Sequence, residues 1–281
     1  MDAEHRLIFD RGATGIFDKA IEVFSAIWPK PLFIYLAASL PFYAFIMFMA
    51  RPRSHVTSFV PVLFFALAIL LKETFRWAAT AMCCDYIEGK TSAEGLRIRL
   101  PHIVNALPIQ AYLACFFFLS VFMLSNPATG FLYFMIFPFL LFITFFVMLL
   151  PPVALNSRVS MAQALLKLFG MMQNSRRVLL RLSVFVWGMV FGLYLNFMLL
   201  HHVLTMFAGT LFGIDMSWQS VAISLGNPVV HLLFGLGTFM AFDVLFIFLA
   251  PSVYYYLTAR KTGVDLKARL QVLNERKPIV T

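Results

Sequence analysis

Charge is scarce in this chain. Lys, Arg, Asp and Glu together make up 12% of its 281 residues, where a soluble domain carries about 25%. An ordinary water-soluble domain is thereby excluded. Cysteine is scarcer still, and Cys83, Cys84 and Cys115 do not make a disulfide framework. The vicinal pair Cys83-Cys84 falls where an apolar run ends, a place for packed free thiols or for a palmitoyl group. Catalytic signatures are missing as well. There is no Gly-x-Ser-x-Gly, no Walker loop, no His-Glu-x-x-His and no paired carboxylates beside a His in a polar segment. The 13 acidic residues are mostly scattered singly, which leaves few groups for acid–base work. His201, His202 and His231 lie toward the outer ends of the expected fifth and sixth spans, with His55 and Asp215 in outer connections. Adjacent histidines on a helix point in different directions, and no His-x-x-x-His or Cys-x-x-Cys joins them. We therefore expect no enzyme, no cofactor and no metal site.

What the chain has instead is apolar length. Hydrophobic residues are 61% of it, with 33 Phe. Six runs, 32–50, 59–84, 104–124, 129–153, 179–207 and 228–257, approach or exceed the roughly 20 apolar residues that cross a bilayer. The polar start Met1-Asp2-Ala3-Glu4-His5-Arg6 is followed by no short apolar core with a cleavage site, so no removed signal peptide is expected. The prediction is an all-α polytopic membrane protein of six transmembrane helices, forming one integral membrane domain over 1–281.

The net charge of +9 raises the question of nucleic acid, but its distribution answers otherwise. Eighteen of the 22 Lys and Arg fall in the N-terminal segment, in two of the connections, at the mouth of the fifth run or in the tail 258–281. Among them are Arg97, Arg99, Arg176, Arg177, Arg260 and Lys261. Only Arg51 and Arg53 fall in the alternate connections. By the positive-inside rule both termini are cytoplasmic, and an even number of spans agrees. The basic residues then form a cytoplasmic face suited to the anionic lipids of the inner leaflet. No nucleic acid partner is expected.

A periodic pattern precedes the first, third and fifth runs. Phe17, Ile21, Phe24 and Trp28 recur at i, i+4, i+7, i+11, as do Leu96, Leu100, Ile103 and Leu107, and Met161, Leu165, Leu168 and Met172. Each predicts an amphipathic helix. Two begin with a capping box, Thr91-Ser92-Ala93-Glu94 and Ser160-Met161-Ala162-Gln163. The spacing predicts three parallel repeats, 12–86, 87–155 and 156–257, each an interfacial amphipathic helix followed by a transmembrane hairpin.

The most informative residues are charges inside apolar runs. Lys72, Glu73 and Arg76 share one face of the second run, and Asp243 lies near the middle of the sixth. A charge at the bilayer centre costs a few kcal/mol on the mildest scale, about 2.5–3.5, so these four must face protein or a wet cavity. Their charges cancel. They read either as an ion-pair cluster that fixes which spans touch or as a polar pathway for transport. The first and second members of Gly188-Met189-Val190-Phe191-Gly192 that matter, Gly188 and Gly192, form a GxxxG step expected at a close helix contact.

The tail stretch Tyr254-Tyr255-Tyr256-Leu257-Thr258-Ala259-Arg260-Lys261-Thr262-Gly263-Val264-Asp265-Leu266 is similar to the ending of a group of prokaryotic multi-pass proteins. These resemble the membrane domain that accompanies some glycerophosphodiester phosphodiesterases, although Thr262 replaces the group's usual Glu. Asp85-Tyr86-Ile87-Glu88-Gly89-Lys90 and the two capped helices resemble the same group. The resemblance implies a membrane part without the phosphodiesterase barrel, and it brings no catalytic residue with it. Two functional expectations follow. One is a non-enzymatic accessory, scaffold or lipid-interacting component of the bacterial cytoplasmic membrane, with a membrane protein or a second copy as its partner. The other is a small-solute or lipid transporter or channel using the charged network. A water-filled cavity reaching Asp243 favours transport, whereas a dry network beside an apolar groove favours the scaffold or lipid binder.

Overall fold

The computed structural model describes residues 13–49, 59–90, 105, 107–116, 130–157, 160–213 and 227–263. These residues are almost all helical, with no strand among them. In chain order they are α1 (Ala13–Ile27), α2 (Pro29–Met49), α3 (Phe59–Glu88), α4 (Leu107–Phe116), α5 (Gly130–Ser157), α6 (Met161–Asn174), α7 (Arg176–Phe212) and α8 (Pro228–Thr262). Among the described residues, four segments are long and apolar enough to cross a membrane: Pro29–Met47, Pro138–Asn156, Arg176–Phe212 and Val230–Thr262. α3 has the length, since its 30 residues extend about 45 Å, but Lys72, Glu73 and Arg76 interrupt its apolar character. Of the run at 104–124, only Asn105 and α4 are described. The capped helix from Thr91, with Arg97 and Arg99, lies outside the described residues. So do the connections bearing Arg51, Arg53, His55 and Asp215, and the tail beyond Gly263.

The helix boundaries follow local chemistry. Pro29 opens α2, where the missing N–H costs nothing because first-turn donors have no helical partner. Ser160 and Gln163 close a reciprocal capping box on α6, each side chain accepting from the other's backbone N–H. Gly89 and Gly263 end α3 and α8 with φ of 70° and 68°, a left-handed backbone that side chains disfavour.

α8 is the central helix and packs against α1, α2, α3, α5 and α7. The contacts give directions. Asp243 lies by Arg76 and Tyr255 by Glu88, while Val147 lies by Arg76 and Asn156 by Tyr255, so α3, α5 and α8 run parallel. Tyr35 meets Asp243 and Phe42 meets Phe239, so α2 is antiparallel to α8. α7 crosses α8, with Phe197 over Gly237 and His201 on Phe234. The ends of α3, α5 and α8 therefore lie together, carrying Lys90, Arg260 and Lys261.

α6 folds back along α5, placing Phe169 at 6.4 Å from Phe142 and 5.1 Å from Phe146 between ring centroids. Its 14 residues cover about 21 Å. α7 consequently starts far up the flank of α5, where Ser183 donates to the Leu141 carbonyl and Trp187 Nε1 to Thr144.

Candidate functional site

α3 is a helix, so Lys72, Glu73 and Arg76 project from one side of it. That side faces α8, and the structure brings all four charges into one cluster. Lys72 Nζ lies 2.7 Å from Glu73 Oε1 and 2.5 Å from Asp243 Oδ2. Arg76 Nη2 lies 2.7 Å from Glu73 Oε2, and its Nε is 3.9 Å from Asp243 Oδ1. The ammonium of Lys72 also sits over the rings of Phe239 and Phe42, at 4.7 and 5.5 Å. None of the four residues is more than 1% exposed. Each charge is met by one of opposite sign, and the sum is zero. That is the condition for holding them in a low-dielectric interior, where an unpaired ion would cost several kcal/mol.

Three further helices close the cluster, through groups that sequence reasoning missed. Tyr35 on α2 donates to Asp243 Oδ2 at 2.8 Å and shares a 3.0 Å hydrogen bond with Tyr43. On α5, the Val147 carbonyl accepts from Arg76 Nη1 and Nη2 at 3.4 Å. Gln110 on α4 donates to that same carbonyl at 3.1 Å. The reason this oxygen is available lies four residues on. Pro151 has no N–H, so the helical partner of the Val147 carbonyl does not exist. Pro151 thereby exposes an acceptor to Arg76. Five helices thus meet at one neutral, hydrogen-bonded knot.

A second polar cluster joins the ends of α3, α5 and α8. Tyr255 donates to Glu88, and Asn156 Nδ2 donates to Tyr255 Oη at 3.2 Å and to Cys84 Sγ at 3.7 Å. Cys83 and Cys84 are both fully buried, which fits packed thiols and leaves no access for S-acylation. Near this end, Lys167 of α6 lies 5.8 Å from the Tyr254 ring. Partial burial, with the nearby Lys261 ammonium, holds its amine below the usual lysine range.

The remaining expected sites fare differently. The histidines do not gather: His231 Nδ1 pairs with Tyr194 Oη at 2.6 Å and His201 packs on Phe234. No metal-binding group exists among the described residues. Gly188 and Gly192 are not at a helix contact among the described residues, since a Cβ on either would meet nothing within 4 Å. The buried face of α7 is Leu179, Leu182, Val186, Trp187, Val190 and Tyr194, and the 100° helical step puts both glycines on its opposite side. The close approach of α7 occurs at Gly237 of α8, whose Cβ would lie 3.3 Å from Phe197.

Nor do the described members of the basic face form one patch. Arg260 and Lys261 are exposed at the joint end of α3, α5 and α8. Arg176 and Arg177, also exposed, start α7 beside Pro138 and Leu141 of α5, about one α6 length away. They border a groove of about 590 Å³ between α5, α6 and α7 that is otherwise mostly apolar. A second, wholly apolar cleft of about 280 Å³ lies where α1 meets α7 and α8. Comparison of the chain with protein-family models, curated proteins and solved structures finds no match, so the site's chemistry has to be read from its own geometry.

Proposed function

We propose that this chain is a non-enzymatic component of the bacterial cytoplasmic membrane, an accessory or scaffold protein that associates with anionic inner-leaflet lipid. The observation that carries this reading is the closure of the charge cluster. Four ionised side chains, each about 1% exposed or less, are paired among themselves and with backbone and hydroxyl groups. A conduction site needs a group that exchanges partners with a passing solute or proton; four charges paired with one another instead hold helices in register. Beside it, a mostly apolar groove bordered by two guanidiniums suits an amphiphile.

The proposed architecture has six spans, with α3 and the segment around α4 completing the four apolar helices. Both termini are cytoplasmic, as the asymmetry of Lys and Arg supports. The three-repeat organisation and the relation to membrane domains that accompany glycerophosphodiester phosphodiesterases belong to the same proposal. α1 and the capped α6 supply amphipathic helices for the first and third units.

Transport is the second reading, and one observation favours it. Asp243, Tyr35 and Tyr43 form a hydrogen-bonded chain whose last hydroxyl belongs to a half-buried residue. Proteoliposomes loaded with a pH-sensitive dye and driven by a potassium diffusion potential separate the two. The scaffold reading expects no protein-dependent proton flux. A flux in the wild type that disappears in Asp243→Asn would overturn it in favour of a proton pathway.

A further inference from the structure

The groove between α5, α6 and α7 joins two chemistries that no soluble ligand needs together. Its walls are hydrocarbon and aromatic: Leu141, Phe142 and Phe145 from α5, Phe169 and Met172 from α6, and Leu180 from α7. Its charged members are Arg176 and Arg177, with Gln173 as the neighbouring amide. Both arginines are exposed, and neither has an ion-pair partner among the described residues. Two adjacent guanidiniums with no carboxylate repel one another until an anion bridges them. They also stand on the first turn of α7, where Ser175 makes no side-chain cap and the helix dipole adds positive potential.

Their position selects among anions. Since α6 returns about 21 Å along α5 before α7 begins, the arginines stand against an apolar stretch of α5. A hydrophilic anion would leave that stretch uncovered. An acyl chain covers it, and a volume of about 590 Å³ falls within the roughly 300–1,000 Å³ typical of ligand pockets. We propose that this groove binds one anionic phospholipid, an acyl chain lying against Phe142, Phe169 and Leu180 and the phosphate bridging Arg176 and Arg177. Arginine suits the role because its planar fork pairs two N–H groups with two phosphate oxygens. The inference rests on the lipid-associating part of the proposed function and adds a site and a headgroup chemistry to it.

The test is native mass spectrometry of the full-length protein released from detergent, titrated with phosphatidylglycerol or with phosphatidylcholine of the same acyl chains. The wild type should retain one phosphatidylglycerol at least about ten-fold more readily than phosphatidylcholine, equivalent to about 1.4 kcal/mol. Arg176→Gln with Arg177→Gln should abolish that preference while leaving phosphatidylcholine retention unchanged. Leu180→Trp, filling the groove from an exposed position, should lower retention of both lipids. Arg260→Gln with Lys261→Gln should leave the preference within about two-fold, because those charges lie away from the groove. Equal loss in the Arg176/Arg177 and Arg260/Lys261 double variants would overturn the site while sparing general lipid association. No preference in the wild type would overturn both.

Discussion

Asp243 brings one negative charge to two cations held on another helix, and the value of that contact shows when it is broken. Removing one partner of a buried ion pair strands the other, at about 3–5 kcal/mol. Asp243→Ala should therefore cut the yield of folded protein sharply, since Lys72 loses its 2.5 Å partner. Lys72→Ala on that background removes the stranded charge and should recover part of the loss, leaving Glu73 and Arg76 as a neutral pair. The measurement is a double-mutant cycle on thermal stability in detergent, where contacting residues show coupling of about 0.5–3 kcal/mol. Strict additivity would mean that the two charges do not pair. These four residues were legible in the sequence because charge inside an apolar run is an anomaly that demands partners. Tyr35, Tyr43 and Gln110 were not, because hydroxyls and amides are ordinary within spans. The Val147 carbonyl has no side-chain signature at all. Only Pro151, four residues on, marks it.

Among elements, the periodicity that announces a helix says less about which face turns inward. Along α1 and its following turn the stripe Phe17, Ile21, Phe24 and Trp28 is largely exposed, while Ile16, Lys19, Ala20 and Val23 are buried. Water would have forced the aromatic stripe inside; lipid is as apolar as the core, so the hydrophobic effect does not sort one apolar face from another. Gly188 and Gly192 likewise lie on the side of α7 that the described residues leave open. Gly237 was overlooked because it stands in no glycine motif; what marks it is a Phe on the facing helix. The capping box of α6, by contrast, was legible because it is local, set by Ser160 and Gln163 whatever surrounds them. The two kinds of glycine separate by substitution. Gly188→Ala gains helix propensity in open space and should stabilise the protein by roughly 0.5–1 kcal/mol, read as a raised midpoint of thermal unfolding in detergent. A loss of stability would instead mean that a second copy or another helix packs over that face.

For the whole molecule, helix length and charge placement bear on orientation together. α7 with 37 residues and α8 with 35 extend about 50 Å or more, well beyond a hydrocarbon core of about 30 Å. Each must tilt or project past the bilayer at one end. The joint end of α3, α5 and α8 carries Lys90, Arg260 and Lys261, with the amphipathic α6 packed alongside it. Lysine and arginine concentrate on the cytoplasmic side because segments bearing them are translocated poorly. The turn at Ser160, which begins α6 at that end, should accordingly face the cytoplasm. The test uses a background with all three cysteines replaced by Ala, carrying single cysteines in turn and treated on intact cells with a membrane-impermeant thiol reagent. Cysteines at Ser54, Asn126 and Asp215 should react from outside. Those at Ser92 and Ser160 should react only after the membrane is opened. Reaction in the opposite sense would turn the molecule over, so that the joint end of α3, α5 and α8, with Arg260 and Lys261, faced outside. Protection of Asn126 alone would remove the third and fourth spans as a hairpin, and with them the middle repeat, while leaving the cluster of α2, α3, α5 and α8 intact.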